Sequence, residues 1–307
     1  MTTPLPQVGL LYFPTDRSIP VGEFARGVAA RGFDAIVLPE HTHIPLASPS
    51  PYPDGAPLPE RYRRVLDPYV ALAVVAAQTN LRLGSCVSLV AEHDPIALAK
   101  TIATLDLVSG GRFALGVGYG WNRAELENHG HQFDQRRRVV REHVALMRTL
   151  WRDEVAEFAG DFASLSPSWS WPKPVAGQVP VLLGCSPTPR GFADVAAWAD
   201  GWIPSGDDAQ LLAGWLTSLN AAWTQAGRDE RGPTVWAMQR VVDDPTLRAQ
   251  LDRFHALGVE QVVLDLQDLE PDLIWPTLDR YAEVVARWRD SVPGGARCRV
   301  LGGGCTT

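Results

Sequence analysis

Eight times along this chain a short apolar run is followed by a segment of helical length and period. The runs are Val8–Phe13, Phe33–Pro39, Leu81–Val90, Phe113–Val117, Val179–Leu183, Gly201–Pro204, Thr234–Val242 and Val259–Leu266. They are too uniformly apolar to be half-solvated strands and read as strands buried on both faces. Between them, Val21, Phe24 and Val28 share one helical face, as do Leu98, Ile102 and Leu105, and Leu278, Tyr281, Val285 and Trp288. Asp67-Pro68, Asp94-Pro95, Thr188-Pro189 and Asp244-Pro245 are helix starts, a capping oxygen followed by proline in the first turn. Parallel strands need helical crossovers, so the alternation predicts an α/β fold, a (β/α)8 TIM barrel. A doubly wound sheet would carry its glycine fingerprint after the first strand; here the glycines follow the fourth. Two insertions are expected, Ile44–Val65 after the second strand and Ala156–Gln178, a loop or hairpin, after the fourth. The barrel is expected to occupy residues 1–292 as one domain, with a flexible glycine-rich tail at 293–307.

Composition narrows the partners. With 46% hydrophobic and 21% charged residues, 307 residues can bury a large core. A net charge of −7 and the lack of a basic run argue against nucleic acid. No apolar stretch is long enough to cross a membrane, and the first residues lack the pattern of a secretion signal, so a cytoplasmic location is expected. Cys86, Cys185, Cys298 and Cys305 have no metal or redox spacing, and the first two fall in strand-like runs as free thiols.

In such a barrel, ligands bind at the carboxyl ends of the strands. The unusual residues of the chain gather there: Glu40, His41 and His43 after the second strand, Ala91–Asp94 after the third, Gly118–Trp121 after the fourth and Gly184–Arg190 after the fifth. In Ser109–Asn122, Gly110-Gly111 ends a helix, Phe113–Val117 forms a strand, and Gly116, Gly118 and Gly120 let backbone approach a ligand closely. Thr188, as a helix cap, is a candidate phosphate seat. His129 and His131 read as surface residues, and Arg136-Arg137-Arg138 as a solvated helix start.

Leu105–Asn122, Asp94–Thr101 and Ala199–Trp202 resemble the bacterial luciferase-like monooxygenase family. Leu38-Pro-Glu-His-Thr-His-Ile-Pro45 resembles its coenzyme F420-dependent oxidoreductase branch. The likeness runs from Val8 to about Trp288. It implies a barrel that holds coenzyme F420, with FMN as the alternative, and that works as a homodimer. Glu40 and His41 would lie beside the cofactor ring, with His41 the acid/base because an imidazole titrates near neutral pH. A non-proline cis peptide would fall near Cys86-Val87 and back the ring. Tyr119 and Gly120 would meet the cofactor phosphate or ribityl chain, with Gly184, Cys185 and Thr188 on the other side.

The chain departs from the sugar-phosphate dehydrogenases of that branch. Trp121 stands where they place an acidic proton acceptor, and Asp207-Asp208 where they place a phosphate-binding lysine. A small apolar or aromatic substrate suits Trp121, Tyr12 and Phe13 better. Arg61, Arg63 and Arg64 are candidates for an anionic cofactor tail. Two other classes stay open: a metal-dependent hydrolase built on His41 and His43, which would need further ligands from later strands, and a flavin-binding protein without turnover.

Overall fold

The computed structural model describes residues 4–47, 52, 57–206, 209–267 and 269–292. The expected tail, Cys298, Cys305, Asp207, Asp208 and parts of the loop after the second strand lie outside these residues. Eight parallel strands close into a barrel: β1 (Gln7–Leu11), β2 (Ala35–Leu38), β3 (Arg82–Ser85), β4 (Phe113–Gly118), β7 (Val181–Cys185), β8 (Gly201–Pro204), β9 (Thr234–Arg240) and β10 (Gln261–Asp265), which pairs back onto β1. β5 (Ala156–Ala159) and β6 (Ser164–Ser168) form a separate antiparallel hairpin within the second insertion.

Around the barrel run α1 (Val21–Ala30), α2 (Pro68–Gln78), α3 (Pro95–Ser109), α5 (Arg136–Arg152), α6 (Pro189–Trp198), α7 (Ala209–Gln225), α8 (Asp244–Ala256) and α9 (Ile274–Ser291). A short α4 (Arg123–Asn128), which the apolar pattern does not foreshadow, follows β4. The caps of α2, α3 and α6 form as expected: Asp67, Asp94 and Thr188 accept from the backbone N–H of Val70, Ala97 and Gly191. In α8 the cap is Asp243, not Asp244, because the Asp243 carboxylate is the one that reaches Thr246 N–H. Gly110 and Gly111 adopt φ of 68° and 78°, the left-handed turn that ends α3.

Period-two alternation sorts the strand side chains. Val8, Leu10, Ile36 and Leu38 face outward and pack with Phe24, Val28, Leu72 and Val75 of the helices. Leu11, Val37, Ala114, Leu182, Ile203, Trp236 and Val263 fill the barrel interior. Trp236 fits only because position 84 is glycine: a Cβ there would come within 2.7 Å of the indole ring. Each large apolar side chain buried in this way contributes on the order of 1.5–3 kcal/mol. The interior plug closes the amino-terminal side of the barrel and leaves the carboxyl-terminal mouth for a ligand.

Candidate active site

A cavity of about 610 Å³ opens above that plug. Every residue singled out for the site lines it: Glu40 and His41 after β2, Cys86 and Val87 after β3, Tyr119 and Gly120 after β4, and Gly184, Cys185 and Thr188 at and after β7. β3 is shorter than its apolar run suggests. It stops at Ser85, and the Cys86–Val87 bond just beyond is a cis peptide, as the resemblance implies. The Val87 side chain then lodges between two strands. Its methyls lie 2.4 Å from where a Cβ on Gly118 would be and 2.6 Å from one on Gly184. Glycine at both positions makes room for that side chain on the cavity wall.

Glu40 is buried, and its carboxylate faces the turn after β3. It accepts from Ser88 Oγ at 2.8 Å, Leu89 N–H at 2.6 Å and His93 Nε2 at 2.8 Å. Burial pushes its pKa up, but the bond and charge of His93 and the two further donors outweigh that and leave it lowered. His93 responds in the opposite sense: burial pushes it down, and the Glu40 carboxylate leaves it raised. The pair is therefore an ion pair that fixes the loop after β3 to the end of β2.

His41 is held differently. Its Nδ1 lies 2.7 Å from Oε2 of Glu125, a fully buried carboxylate on α4 that also accepts from Thr42 N–H at 3.0 Å. The bond to Glu125 commits Nδ1 and leaves Nε2 as the nitrogen for a ligand in the cavity. Tyr62 and Trp121 pack around the ring at centroid distances of 5.1 and 5.6 Å, and Phe13 meets Tyr62 at 5.1 Å. His43 turns elsewhere, to Thr42 Oγ1 and Asn128, so the two histidines do not share a ligand position.

Several expectations change. Tyr12 does not line the cavity; it faces outward, stacks on Phe24 at 3.7 Å and donates to the Ile19 carbonyl, while Phe13 faces in. Arg136 and Arg137 are not a solvated helix start. Both line the cavity, and only Arg138 is directed to solvent, where it pairs with Asp161. Arg137 bonds Asp194 and stacks on Tyr119, whose hydroxyl also donates to Asp194 at 2.7 Å. Arg63 and Arg64 are engaged by Glu60, and Arg61 packs over Phe13 and Tyr62. His129 is exposed, as expected, and its Nε2 lies 2.9 Å from Thr42 Oγ1. Burial pushes the Cys86 and Cys185 thiols up to about 12 and about 11, so neither is a thiolate near neutral pH. Glu125 and Tyr62 are site residues that the sequence patterns do not single out, and Arg136 and Arg137 are ones that they assign to solvent. Among the described residues, no helix is long and apolar enough to cross a membrane.

The chain is similar to known proteins over most of its length. An uncharacterized protein of Mycobacterium tuberculosis is 40% identical over 282 residues, covering 91% of this chain and 98% of that protein. A solved F420-dependent secondary alcohol dehydrogenase, bound to an F420-acetone adduct, superposes with a TM-score of 0.74 at 18% identity, over 97% of this chain and 100% of that one. The oxygenating constituent of 3,6-diketocamphane monooxygenase from Pseudomonas putida, in complex with FMN, superposes with a TM-score of 0.67 at 15% identity, over 92% and 98% of the two chains. The family model described as luciferase-like monooxygenase matches residues 17–293. With the barrel, the cavity at its carboxyl-terminal mouth and a family match of that extent, the chain belongs to the luciferase-like monooxygenase family.

Proposed function

We propose that this protein is an oxidoreductase that passes hydride between coenzyme F420 and a small apolar or aromatic substrate, with FMN as the alternative cofactor. One observation carries the reading: a histidine with one nitrogen anchored by a buried carboxylate shares its cavity with an aromatic wall and a glycine-rich, arginine-flanked wall. The residues fit such a cofactor. Gly118 and Gly184 seat the Val87 side chain, which would back a flat ring system, and Gly120 keeps the neighbouring wall to bare backbone. Thr188 and Gly191, at the start of α6, offer the positive end of a helix dipole to a phosphate, with Arg136 and Arg137 nearby for the rest of an anionic tail. F420 carries the more anionic tail, which favours it over FMN.

When bound, the cofactor supplies the hydride acceptor or donor. His41 Nε2 takes or gives the substrate proton as hydride moves, and Glu125 holds the ring in the tautomer with its proton on Nδ1. Tyr62, Trp121 and Phe13 exclude water around the reacting carbon and present an apolar surface to the substrate. Glu40 acts through position: tied to Ser88, Leu89 and His93, it keeps the strand-end loop in place rather than exchanging protons. A homodimer is part of the proposal. Exposed Val70 on α2 and Val108 on α3 line one apolar groove that a second copy would cover, and sedimentation reads this directly.

The test is a titration of the apoprotein with F420 and, separately, FMN, followed by fluorescence. Saturable binding of F420 alone supports the deazaflavin reading, and binding of FMN alone moves the protein to the flavin side. Binding of neither overturns the oxidoreductase reading.

A further inference from the structure

Glu125 has a second carboxyl against it. Glu92, in the turn after β3, is buried to 2% side-chain exposure and lies within hydrogen-bond reach of Glu125, which is wholly buried. Two carboxylates in contact inside a protein cannot both stay charged without a cation between them. His41 meets Glu125 at Oε2, Thr42 N–H takes its Oε1, and His93 is committed to Glu40. His129 Nε2 lies 3.8 Å from Glu92, and burial together with the nearby histidines His43, His93 and His131 holds its pKa below the ordinary value.

We propose that Glu92 is a positioning residue for His41: it shares one proton with Glu125, so that the pair carries a single negative charge facing the His41 ring. The carboxyl that holds the proton donates to the other, and no bond other than O–H and O···H is involved. Thr42 connects the pair to the outside. Its Oγ1 lies 3.3 Å from Glu92 Oε2 and 2.9 Å from His129 Nε2, so the shared proton has a route to solvent that avoids the cavity. The titratable groups around the pair are Glu40, His41 and His43 from the loop after β2, His93 beside Glu92, and His129 and His131 beyond α4. Burial, Glu125 and Glu40 together push the Glu92 carboxyl up to about 9, which agrees with a proton retained at neutral pH. Glu92 also borders the ligand site, since its Oε1 lies 4.0 Å from where a Cβ on Gly120 would stand.

The catalytic consequence rests on the reading of His41 as the proton-exchanging group; the shared proton does not. The experiment is therefore carried out first on the apoprotein, labelled with carbon-13 at glutamate carboxyls and nitrogen-15 at histidine. The expected result is one glutamate carboxyl that titrates near pH 9, with the Nδ1–H signal of His41 moving through the same transition. Glu92→Gln keeps a neutral hydrogen-bonding group against Glu125 and is expected to abolish that transition while the Nδ1–H signal remains. A wild-type protein with no carboxyl titrating above pH 7 overturns the proposal, and so does a transition near pH 9 that persists in Glu92→Gln. The wild-type titration needs no variant to fold. With cofactor bound, the wild-type pH–rate profile is expected to bend near pH 9 and the Glu92→Gln profile to lose that bend. If the protein binds neither cofactor, the oxidoreductase reading falls, and the carboxyl titration still decides the pair.

Discussion

His41 and Glu125 stand 84 positions apart, yet their side chains meet at 2.7 Å, with Glu125 fully buried. The contact joins the end of β2 to α4, across the mouth of the barrel. A buried carboxylate on one imidazole nitrogen fixes which nitrogen carries the proton and steadies the imidazolium that forms when the other accepts one.

Glu125→Gln should therefore damage turnover more than binding. The amide can donate to Nδ1 and invert the tautomer, so kcat is expected to fall by up to ~10⁴-fold, the loss seen when the orienting acid of a catalytic histidine is neutralised. Cofactor affinity, set elsewhere in the cavity, should stay close to wild type. Fluorescence titration and single-turnover kinetics on one preparation separate the two. Equal losses in binding and turnover would show that Glu125 shapes the cavity rather than the histidine.

The Glu40–His93 pair makes a prediction about stability and pH. Glu40 is lowered from 4.5, so its contribution is present above 4.5 and is lost as pH falls through the lower folded value. His93 is raised from 6.5, so its contribution is complete below 6.5 and is lost as pH rises through the higher folded value. The window of full effect lies between the two. His93→Ala leaves the Glu40 charge buried without its partner and should cost ~3 kcal/mol near pH 6. The difference from wild type should shrink toward pH 3 and toward pH 9. Urea melts across that range check it, and a pH-independent difference would mean that packing, not charge, is what His93 supplies.

Val87 and its two glycines offer a test by rescue. Gly118→Ala would place a methyl 2.4 Å from a Val87 methyl carbon, and Gly184→Ala one 2.6 Å from the other. Overpacking of this kind costs ~1–3 kcal/mol and shifts the side chain that must yield. Either alanine should lower the melting temperature and weaken cofactor binding at least tenfold. Adding Val87→Ala to Gly118→Ala removes the clashing methyls and should recover much of the stability. No recovery would place the cost in the backbone at residue 118.

The barrel was legible because its cause is local: buried parallel strands leave uninterrupted apolar runs, and Asp or Thr before Pro marks where a helix begins. The cavity was legible too, since a barrel places strand ends together whatever their sequence. What stayed hidden depends on long-range packing. Glu125 sits in a six-residue polar helix and reads as solvated; only its neighbours from the β2 and β3 loops bury it. Arg136, Arg137 and Arg138 are chemically alike, and helical rotation of about 100° per residue sends the first two inward and the third out. Tyr12 and Phe13 differ by the same kind of geometry, one step of a period-two strand end, and an all-apolar run gives no polar residue to tell inside from outside.

Arg137 carries the last prediction. It lies on the cavity wall, held by Asp194 and stacked on Tyr119 with its guanidinium 4.6 Å from the ring centroid. That double restraint pre-orients the charge, so little entropy is lost when it meets an anion. Arg137→Ala should weaken binding of an anionic cofactor ~10-fold or more, as expected for a charge-assisted bond. Because the contact is electrostatic and partly exposed, wild-type affinity should fall with added salt and the variant's should fall less steeply. Arg138→Ala, whose partner Asp161 is on the outer surface, should bind like wild type at every salt concentration. Calorimetric titrations at two ionic strengths distinguish the cases. If both variants bind like wild type, the anion sits at the start of α6 alone, and the arginines serve only to hold Tyr119 and Asp194 in place.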